Sequence, residues 1–139
     1  MTGSRNESIA VVGAGSWGTA FAIMLAESYG DVALWVYEES VCGAIRERRE
    51  NDAFLPGFRI PAAVLPTNDL AAAVAGKSVV AFAVPSHHMR VVAARAAPFL
   101  SPGACLVSLS KGVENGTLLR MTELLEAASP AHAARVAAL

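Results

Sequence analysis

A glycine-rich stretch near the beginning of the chain restricts its possible folds more than any other feature. Residues 9–18 read Ile-Ala-Val-Val-Gly-Ala-Gly-Ser-Trp-Gly, so an apolar, β-branched run leads directly into the spacing G-x-G-x-x-G. The residues that follow favour a helix with one face formed by Trp17, Phe21, Met24 and Leu25. Glycines at a turn from a first strand to a first helix are typical of a dinucleotide site, and a purely structural glycine turn is the alternative.

Each glycine has a predicted role in that turn. Gly13 allows the tight reversal of the backbone, and Gly15, which lacks a Cβ, lets a pyrophosphate approach the main chain. Gly18 lets the helix pack closely on the strand. The free N–H groups and the positive dipole end at the start of the helix then face the phosphates.

The rest of the chain alternates apolar strands with helices. Further strands are predicted at 32–37, 78–84, 104–109 and, at the end, 135–139, and helices at 41–50, 70–75, 87–97 and 117–128. Ser86 is a candidate cap for the helix at 87–97, and 51–66 reads as irregular because of its prolines and Gly57. This alternation, in a chain of 139 residues, predicts one α/β domain: a doubly wound, Rossmann-like parallel sheet with helices on both faces.

Four polar or glycine-containing segments lie at the carboxyl ends of predicted strands. Because ligands of such sheets bind at the carboxyl ends of the strands, where the strand order reverses, these segments should meet along one crevice. The segments are 13–18, 37–38, 85–88 and 110–112.

Glu38 follows the second strand and lies 20 residues after Gly18. At this distance such folds place a carboxylate that binds the adenosine ribose hydroxyls and repels a 2′-phosphate. Together with Tyr37 and Glu39, it favours NAD over NADP. The alternative is an acidic residue that stabilises the start of a helix, and both roles are compatible.

Composition excludes several classes of function. The formal net charge is −1, which gives no reason to expect nucleic acid or an anionic membrane surface as a partner. No apolar run reaches the roughly 18 residues of a membrane span. Cys42 and Cys105 lack neighbours at a metal-ligand spacing, so we expect no metal site, and buried or half-buried reduced thiols in a cytoplasmic protein. Residues 1–7 are expected to be a flexible arm before a domain over 8–139.

Five motifs, taken in order, resemble the NAD(P)-dependent glycerol-3-phosphate dehydrogenases, and the likeness covers nearly all of residues 9–139. The glycine motif is shared with many dehydrogenases, whereas the Phe-Leu-Pro-Gly loop and the Lys-Gly-Val-Glu segment are more specific. The motifs are Gly-Ala-Gly-Ser-Trp-Gly-Thr at 13–19, Leu-Trp at 34–35, Asn51 with Phe-Leu-Pro-Gly at 54–57, Val-Pro-Ser at 84–86 and Ser-Lys-Gly-Val-Glu at 110–114.

The resemblance implies reduction of dihydroxyacetone phosphate to sn-glycerol 3-phosphate by a nicotinamide cofactor, for phospholipid synthesis. It places Ser16 and Trp17 at the cofactor phosphates and Tyr37 beside the adenine ribose, where many bacterial members carry Arg or His. The residues expected to bind the cofactor are Gly13, Gly15, Ser16, Trp17, Gly18, Tyr37, Glu38, Pro85, His88 and Lys111.

Lys111 is expected to bind substrate as well as cofactor. An ammonium at the carboxyl end of a strand attracts a substrate phosphate or polarises a carbonyl, and the alternative is a solvated loop lysine. His88 is a candidate for the nicotinamide side of the crevice, whereas His132 is expected at the surface. The role of His87 stays open, and Arg90 either holds the first turn of its helix or faces the phosphates.

The family's helical second domain, with its general-acid lysine and most substrate contacts, is absent from these 139 residues. We therefore expect the chain to bind NAD, with NADP as a possible cofactor, without turnover by itself, and the full-length enzyme to be a cytoplasmic homodimer. Two other functions stay open: a related reductase of the ketopantoate or hydroxyacid type, and a non-catalytic dinucleotide-binding sensor.

Overall fold

Short strands and helices alternate along the computed structural model, which describes residues 7–139. The strands are β1 Ile9–Val12, β2 Val32–Trp35, β3 Glu50–Asn51, β4 Leu55–Arg59, β5 Val64–Thr67, β6 Val79–Phe82, β7 Cys105–Ser108 and β8 Val136–Ala138. The helices are α1 Ser16–Tyr29, α2 Glu39–Arg48, α3 Leu70–Val74, α4 Met89–Ala96 and α5 Met121–Ala128. Short 3-10 turns occupy Ser86–His88, Ala97–Phe99 and Pro130–Arg135. Apart from Glu7, the arm expected over 1–7 lies outside the described residues.

Six strands form a parallel sheet in the order β5-β2-β1-β6-β7-β8, whereas β3 and β4 form a separate antiparallel hairpin. The chain adds β2 and β5 on one side of β1, then returns to its other side with β6, β7 and β8. The strand order therefore reverses between β1 and β6, and ligands of open α/β sheets bind at such a point.

Two separate apolar cores cover the two faces of the sheet. Val11 packs with residues of α1 and α2, such as Ala22 and Ile45. The next residue, Val12, packs with residues of α3, α4 and α5, such as Met89. Because β1 supplies side chains to both cores, all four of its residues are apolar and buried. The predicted doubly wound α/β fold is confirmed.

The segment 51–66 is more regular than its composition predicts, since it contains β4 and the start of β5. β5 is an edge strand, and the carbonyls of Ala63 and Thr67 accept hydrogen bonds from the Val32 and Val36 amides at 2.9 and 2.8 Å. The amide position of Pro66 therefore faces the open edge, where a missing N–H breaks no bond within the sheet. The proline that argued against a strand is compatible with this one.

Helix ends differ from the predictions at three helices: α2 spans Glu39–Arg48 rather than 41–50, and α5 and α4 begin later than expected. α5 begins at Met121 rather than Thr117, because Leu118 adopts a φ of 61° and the Glu123 carboxylate accepts hydrogen bonds from the backbone N–H and the Nε of Arg120, at 3.1 and 2.8 Å. Leu118 is thus exposed and does not share the buried face of the helix. Ser86 begins a 3-10 turn and makes no side-chain cap.

α1 packs through its small residues. Gly18, Thr19 and Ala22 are its buried positions, whereas Trp17 and Met24 are more than half exposed. The small side chains bring the helix axis close to the sheet, and Phe21, Ile23 and Leu25 pack partly buried against the same core.

Two surface expectations were wrong. His132 is 5% exposed, because its Nδ1 lies 2.6 Å from Ser129 Oγ and its Nε2 lies 2.7 Å from the Ser101 carbonyl. Cys105 is an exposed free thiol at the start of a strand, whereas Cys42 is buried as expected. Within residues 7–139, no helix combines the length and hydropathy needed to cross a membrane.

Candidate functional site

A cleft of about 670 Å³ runs along the carboxyl ends of β2, β1, β6 and β7, across the point where the strand order reverses. Its volume lies within the range of about 300–1,000 Å³ that is usual for small-molecule sites. Of the residues predicted to bind the cofactor, all but Gly18 line this cleft. The lining residues include Gly13, Gly15, Ser16, Trp17, Tyr37, Glu38, Pro85, His88, Arg95 and Lys111.

The turn between β1 and α1 has the close backbone contacts that glycine permits. Gly13 adopts a φ of +117°, and a Cβ there would lie 2.7 Å from the Ala83 carbonyl oxygen. A Cβ on Gly18 would lie 2.0 Å from the Gly13 oxygen. Both positions exclude a side chain, so Gly18 shapes the site from behind the cleft wall.

Gly15 differs, because a Cβ there would meet no atom within 4 Å. The fold therefore does not require glycine at this position, and the space in front of it opens on the cleft. α1 begins here without a side-chain cap and without an acidic residue in its first turn. Its first amides lack partners within the helix, and an anion is the natural ligand for them.

Asn51 is a buried residue that supports the turn from behind, and the sequence alone indicated no role for it. Its Nδ2 donates to the Ala14 carbonyl and to Thr19 Oγ1, both at 2.9 Å, and its Oδ1 accepts from the Phe54 amide at 3.1 Å. Ser16 Oγ donates to the Phe54 carbonyl at 2.7 Å. The β3–β4 hairpin thus holds the glycine turn, and the only sequence signal was Asn51 within the motif that ends in Phe-Leu-Pro-Gly.

At the β2 end of the cleft, aromatic and charged side chains share one wall. Tyr37 meets the ring of Trp35 edge-on, with centroids 6.1 Å apart. The guanidinium carbon of Arg95, which projects from α4, lies 5.9 Å from the Trp35 ring centroid. Glu38 is exposed at the start of α2 and is the acidic residue of the lining. Sequence reasoning missed Arg95, because its helix lies far along the chain from β2.

At the other end of the cleft, Lys111 follows β7 and is exposed. Ser110 Oγ donates to the Val84 carbonyl, which joins the end of β7 to the end of β6. Gly112 adopts a φ of +98°, so the chain turns sharply directly after the lysine. These contacts keep the Lys111 backbone at the cleft while its side chain stays in solvent.

Arg90 is held by a carboxylate and does not line the cleft. Its Nε and Nη2 donate to the two Glu114 oxygens at 2.8 and 2.9 Å. Hydrogen bonds from Arg90 and Thr117 lower the pKa of Glu114 to about 2. Of the two roles left open for Arg90, the contact favours a structural one, between α4 and the loop after Lys111.

The adjacent histidines take different positions. Their rings are tilted by 46° to each other, with centroids 4.1 Å apart. His88 lines the main cleft, whereas His87 lines a smaller pocket of about 420 Å³ together with Glu114 and Asn115. Only His88 can therefore contact a ligand of the main cleft directly.

Comparison with known proteins gives the family. The model of the NAD-dependent glycerol-3-phosphate dehydrogenase N-terminus matches residues 8–139. The chain belongs to this family. The resemblance stated from the motifs is confirmed, and the match favours it over the ketopantoate or hydroxyacid reductases.

Individual relatives of the chain are described as members of the same family. A glycerol-3-phosphate dehydrogenase [NAD(P)+] of Koribacter versatilis is 49% identical over 119 residues, which is 85% of this chain and 35% of that protein. A protein of the same description from Mycobacterium bovis, numbered 2, is 43% identical over 131 residues, 94% of this chain and 39% of that protein. The crystal structure of a Coxiella burnetii glycerol-3-phosphate dehydrogenase has a TM-score of 0.82 at 29% identity, covering 94% of this chain and 38% of that one. The chain thus spans somewhat more than a third of the length of these relatives.

Proposed function

We propose that the cleft binds a nicotinamide dinucleotide with its pyrophosphate on the turn between β1 and α1. The observation that carries this proposal is the open backbone at Gly15, which faces the cleft in front of an uncapped helix start. Two phosphates would accept hydrogen bonds from the amides of that turn and lie at the positive end of the helix dipole. Ser16 and Trp17 flank the turn within the same cleft.

The orientation of the dinucleotide follows from the two ends of the cleft. Its adenosine would lie at the β2 end, where Glu38 accepts hydrogen bonds from the ribose hydroxyls and Tyr37 covers the sugar. Its nicotinamide would lie near Pro85, His88 and Lys111. The three strand spacings from β2 to β7 amount to about 14 Å, which suits an extended dinucleotide.

We further propose that the reaction is the interconversion of sn-glycerol 3-phosphate and dihydroxyacetone phosphate. When bound, the nicotinamide would supply the hydride chemistry at the substrate carbon. The Lys111 ammonium, at the nicotinamide end, would attract the substrate phosphate or polarise the carbonyl oxygen. The proton for that oxygen would come from a group outside the described residues, as the resemblance implies for a lysine of a second, helical domain.

Calorimetric titration of the 139-residue chain with NADH and NADPH tests the cofactor part. We expect NADH to bind at one site per chain, and absence of binding by both cofactors would overturn the proposal. Dihydroxyacetone phosphate with NADH should show no turnover with this chain alone.

A chimera tests the reaction. In the Koribacter relative, this chain replaces the matching 119 residues, and the unchanged relative serves as the positive control. We expect activity that Lys111→Ala reduces by about tenfold or more and that Lys77→Ala, in the turn after α3, leaves unchanged. A Lys111→Ala chimera with full activity would remove Lys111 from the mechanism.

Two further expectations from the resemblance belong to the proposal: a homodimeric full-length enzyme, and a cytoplasmic location. Sedimentation equilibrium of the chimera and of the 139-residue chain would show whether either one dimerises. Fractionation of cells that express the gene would test the location.

A further inference from the structure

Arg95 is a charged residue of the cleft lining, and the proposed function assigns it no role. It occupies the last turn of α4, lines the cleft, and places its guanidinium carbon 5.9 Å from the centroid of the Trp35 ring. Trp35 is 3% exposed, and its Nε1 donates to the Asn68 carbonyl at 3.1 Å. The ring is therefore a fixed platform, and the contact with a cation limits where the guanidinium can lie.

Among the described residues, no carboxylate forms an ion pair with Arg95. Across residues 7–139, the ion pairs join Arg48 to Asp52, Arg90 to Glu114 and Arg120 to Glu123. Arg95 takes part in none of them. Its five N–H donors stand at the wall of a cleft whose only acidic lining residue among those described is Glu38.

Glu38 and Arg95 approach the β2 end of the cleft from opposite faces of the sheet. Glu38 stands at the start of α2, which packs on one face, whereas Arg95 belongs to α4, which packs on the other. A group bound beyond the end of β2 would thus meet a carboxylate on one side and a guanidinium on the other. A ribose hydroxyl suits the carboxylate, and a phosphate on that ribose suits the guanidinium, which binds phosphate oxygens in pairs.

We propose that Arg95 binds the 2′-phosphate of NADP(H), so that the cleft accepts both cofactors although Glu38 favours NAD. This inference rests on the proposed function and deepens it, since it assigns a specificity-determining residue on α4 rather than after β2. The ring of Trp35 orients the guanidinium in advance, which lowers the entropic cost of ordering Arg95 on the phosphate.

A different role for Arg95 makes a different prediction. If the guanidinium stacked on the adenine ring instead, it would stabilise NADH and NADPH equally, because both carry the same base. The two roles are therefore separated by the ratio of the two affinities and not by either affinity alone.

The test uses the 139-residue chain and its Arg95→Gln variant. Both are titrated with NADH, with NADPH, and with the fragments AMP and adenosine 2′,5′-bisphosphate, which probe the adenosine end alone. Arg59→Gln is the matched control, because Arg59 is exposed on β4 and does not line the cleft. Thermal unfolding of each variant checks that the fold is unchanged, as expected for an exposed side chain.

We expect Arg95→Gln to weaken NADPH and adenosine 2′,5′-bisphosphate by about tenfold or more, since a charge-assisted contact is lost. NADH and AMP should change by less than about twofold, and Arg59→Gln should change none of the four. Equal losses for NADH and NADPH, no loss for either, or an unchanged chain that binds NADH but not NADPH would each overturn the role of Arg95 and leave the proposed function standing. Absence of binding by both cofactors would overturn the proposed function and this inference with it.

Discussion

The carbonyl oxygen of Gly13 occupies the space that a side chain on residue 18 would need, since a Cβ on Gly18 would lie 2.0 Å away. The last position of the motif must therefore be glycine, because main-chain atoms of the first position occupy the space of a side chain and cannot rotate aside. The spacing of these two glycines is a packing requirement of the turn, whereas Gly15 between them is free of any such contact.

Gly18→Ala should lower the free energy of unfolding by about 3 kcal/mol or more, at the upper end of overpacking effects, because backbone meets the new methyl group. Urea unfolding followed by circular dichroism measures the loss. A stability equal to that of the unchanged chain would show that the turn can widen without cost.

Gly15→Ala is the matched change at the neighbouring glycine of the motif, and it should leave stability within about 0.5 kcal/mol. Its methyl group enters the open space in front of the turn, so NADH affinity should fall about tenfold or more as the pyrophosphate loses its close approach. Calorimetry with NADH measures this. Unchanged affinity would place the pyrophosphate elsewhere in the cleft.

Asn51→Ala should reduce both stability and NADH affinity. The change removes three hydrogen bonds and leaves the Ala14 carbonyl and the Thr19 hydroxyl without this partner, at a cost of about 2–4 kcal/mol. Affinity should fall because Ala14 belongs to the glycine turn. Asn115→Ala, at an exposed position outside the main cleft, is the control and should change neither quantity.

The Arg90–Glu114 contact predicts a dependence of stability on pH. The pKa of Glu114 falls from 4.5 to about 2 in the folded chain, so the folded state favours the charged carboxylate. Its contribution to stability is present above pH 4.5 and is lost as the pH falls from there towards about 2.

Glu114→Gln should therefore be less stable than the unchanged chain at pH 7, and the difference should shrink as the pH is lowered through that window. Urea unfolding at several pH values measures the difference. Glu27→Gln is the control, because Glu27 is exposed and forms none of the three ion pairs of the described residues. A difference that stays constant with pH would exclude the carboxylate charge as its source.

His132→Leu should lower the free energy of unfolding by about 1–3 kcal/mol, because the Ser129 hydroxyl and the Ser101 carbonyl lose their partner in a buried place. NADH affinity should stay the same, since Ser101 precedes β7 and lies at the end of the sheet away from the cleft. His87→Gln, at an exposed histidine, should leave stability unchanged. A loss of NADH affinity with His132→Leu would reveal coupling across the sheet.

The main features of the fold and of the cleft were predictable because they depend on local patterns. Apolar strands such as β1, and the glycine turn, can be recognised from a few consecutive residues. Parallel strands then bring their carboxyl ends to one edge of the sheet. This is why Gly15, Tyr37, His88 and Lys111, which are far apart in the chain, could be expected at one cleft before its geometry was known.

Other features depend on contacts between distant segments, and no local pattern reports those. Asn51 supports a turn more than thirty residues earlier in the chain. Arg95 reaches the end of β2 from α4, which lies much later in the chain. His132 looked like a surface residue because its two partners, Ser101 and Ser129, are ordinary serines in loops. β5 was missed because a proline counts against a strand unless its position at an edge is known.

Pro66 has a consequence for how molecules of this protein meet one another. Its ring lies on the outer side of the edge strand β5, where a backbone N–H could otherwise pair with a strand of a second molecule. An incoming strand would meet a bulky ring and lack one hydrogen-bond donor, so pairing of a second molecule's strand along this edge is disfavoured. The same proline that obscured the strand in the sequence thus protects the folded domain against edge-to-edge aggregation.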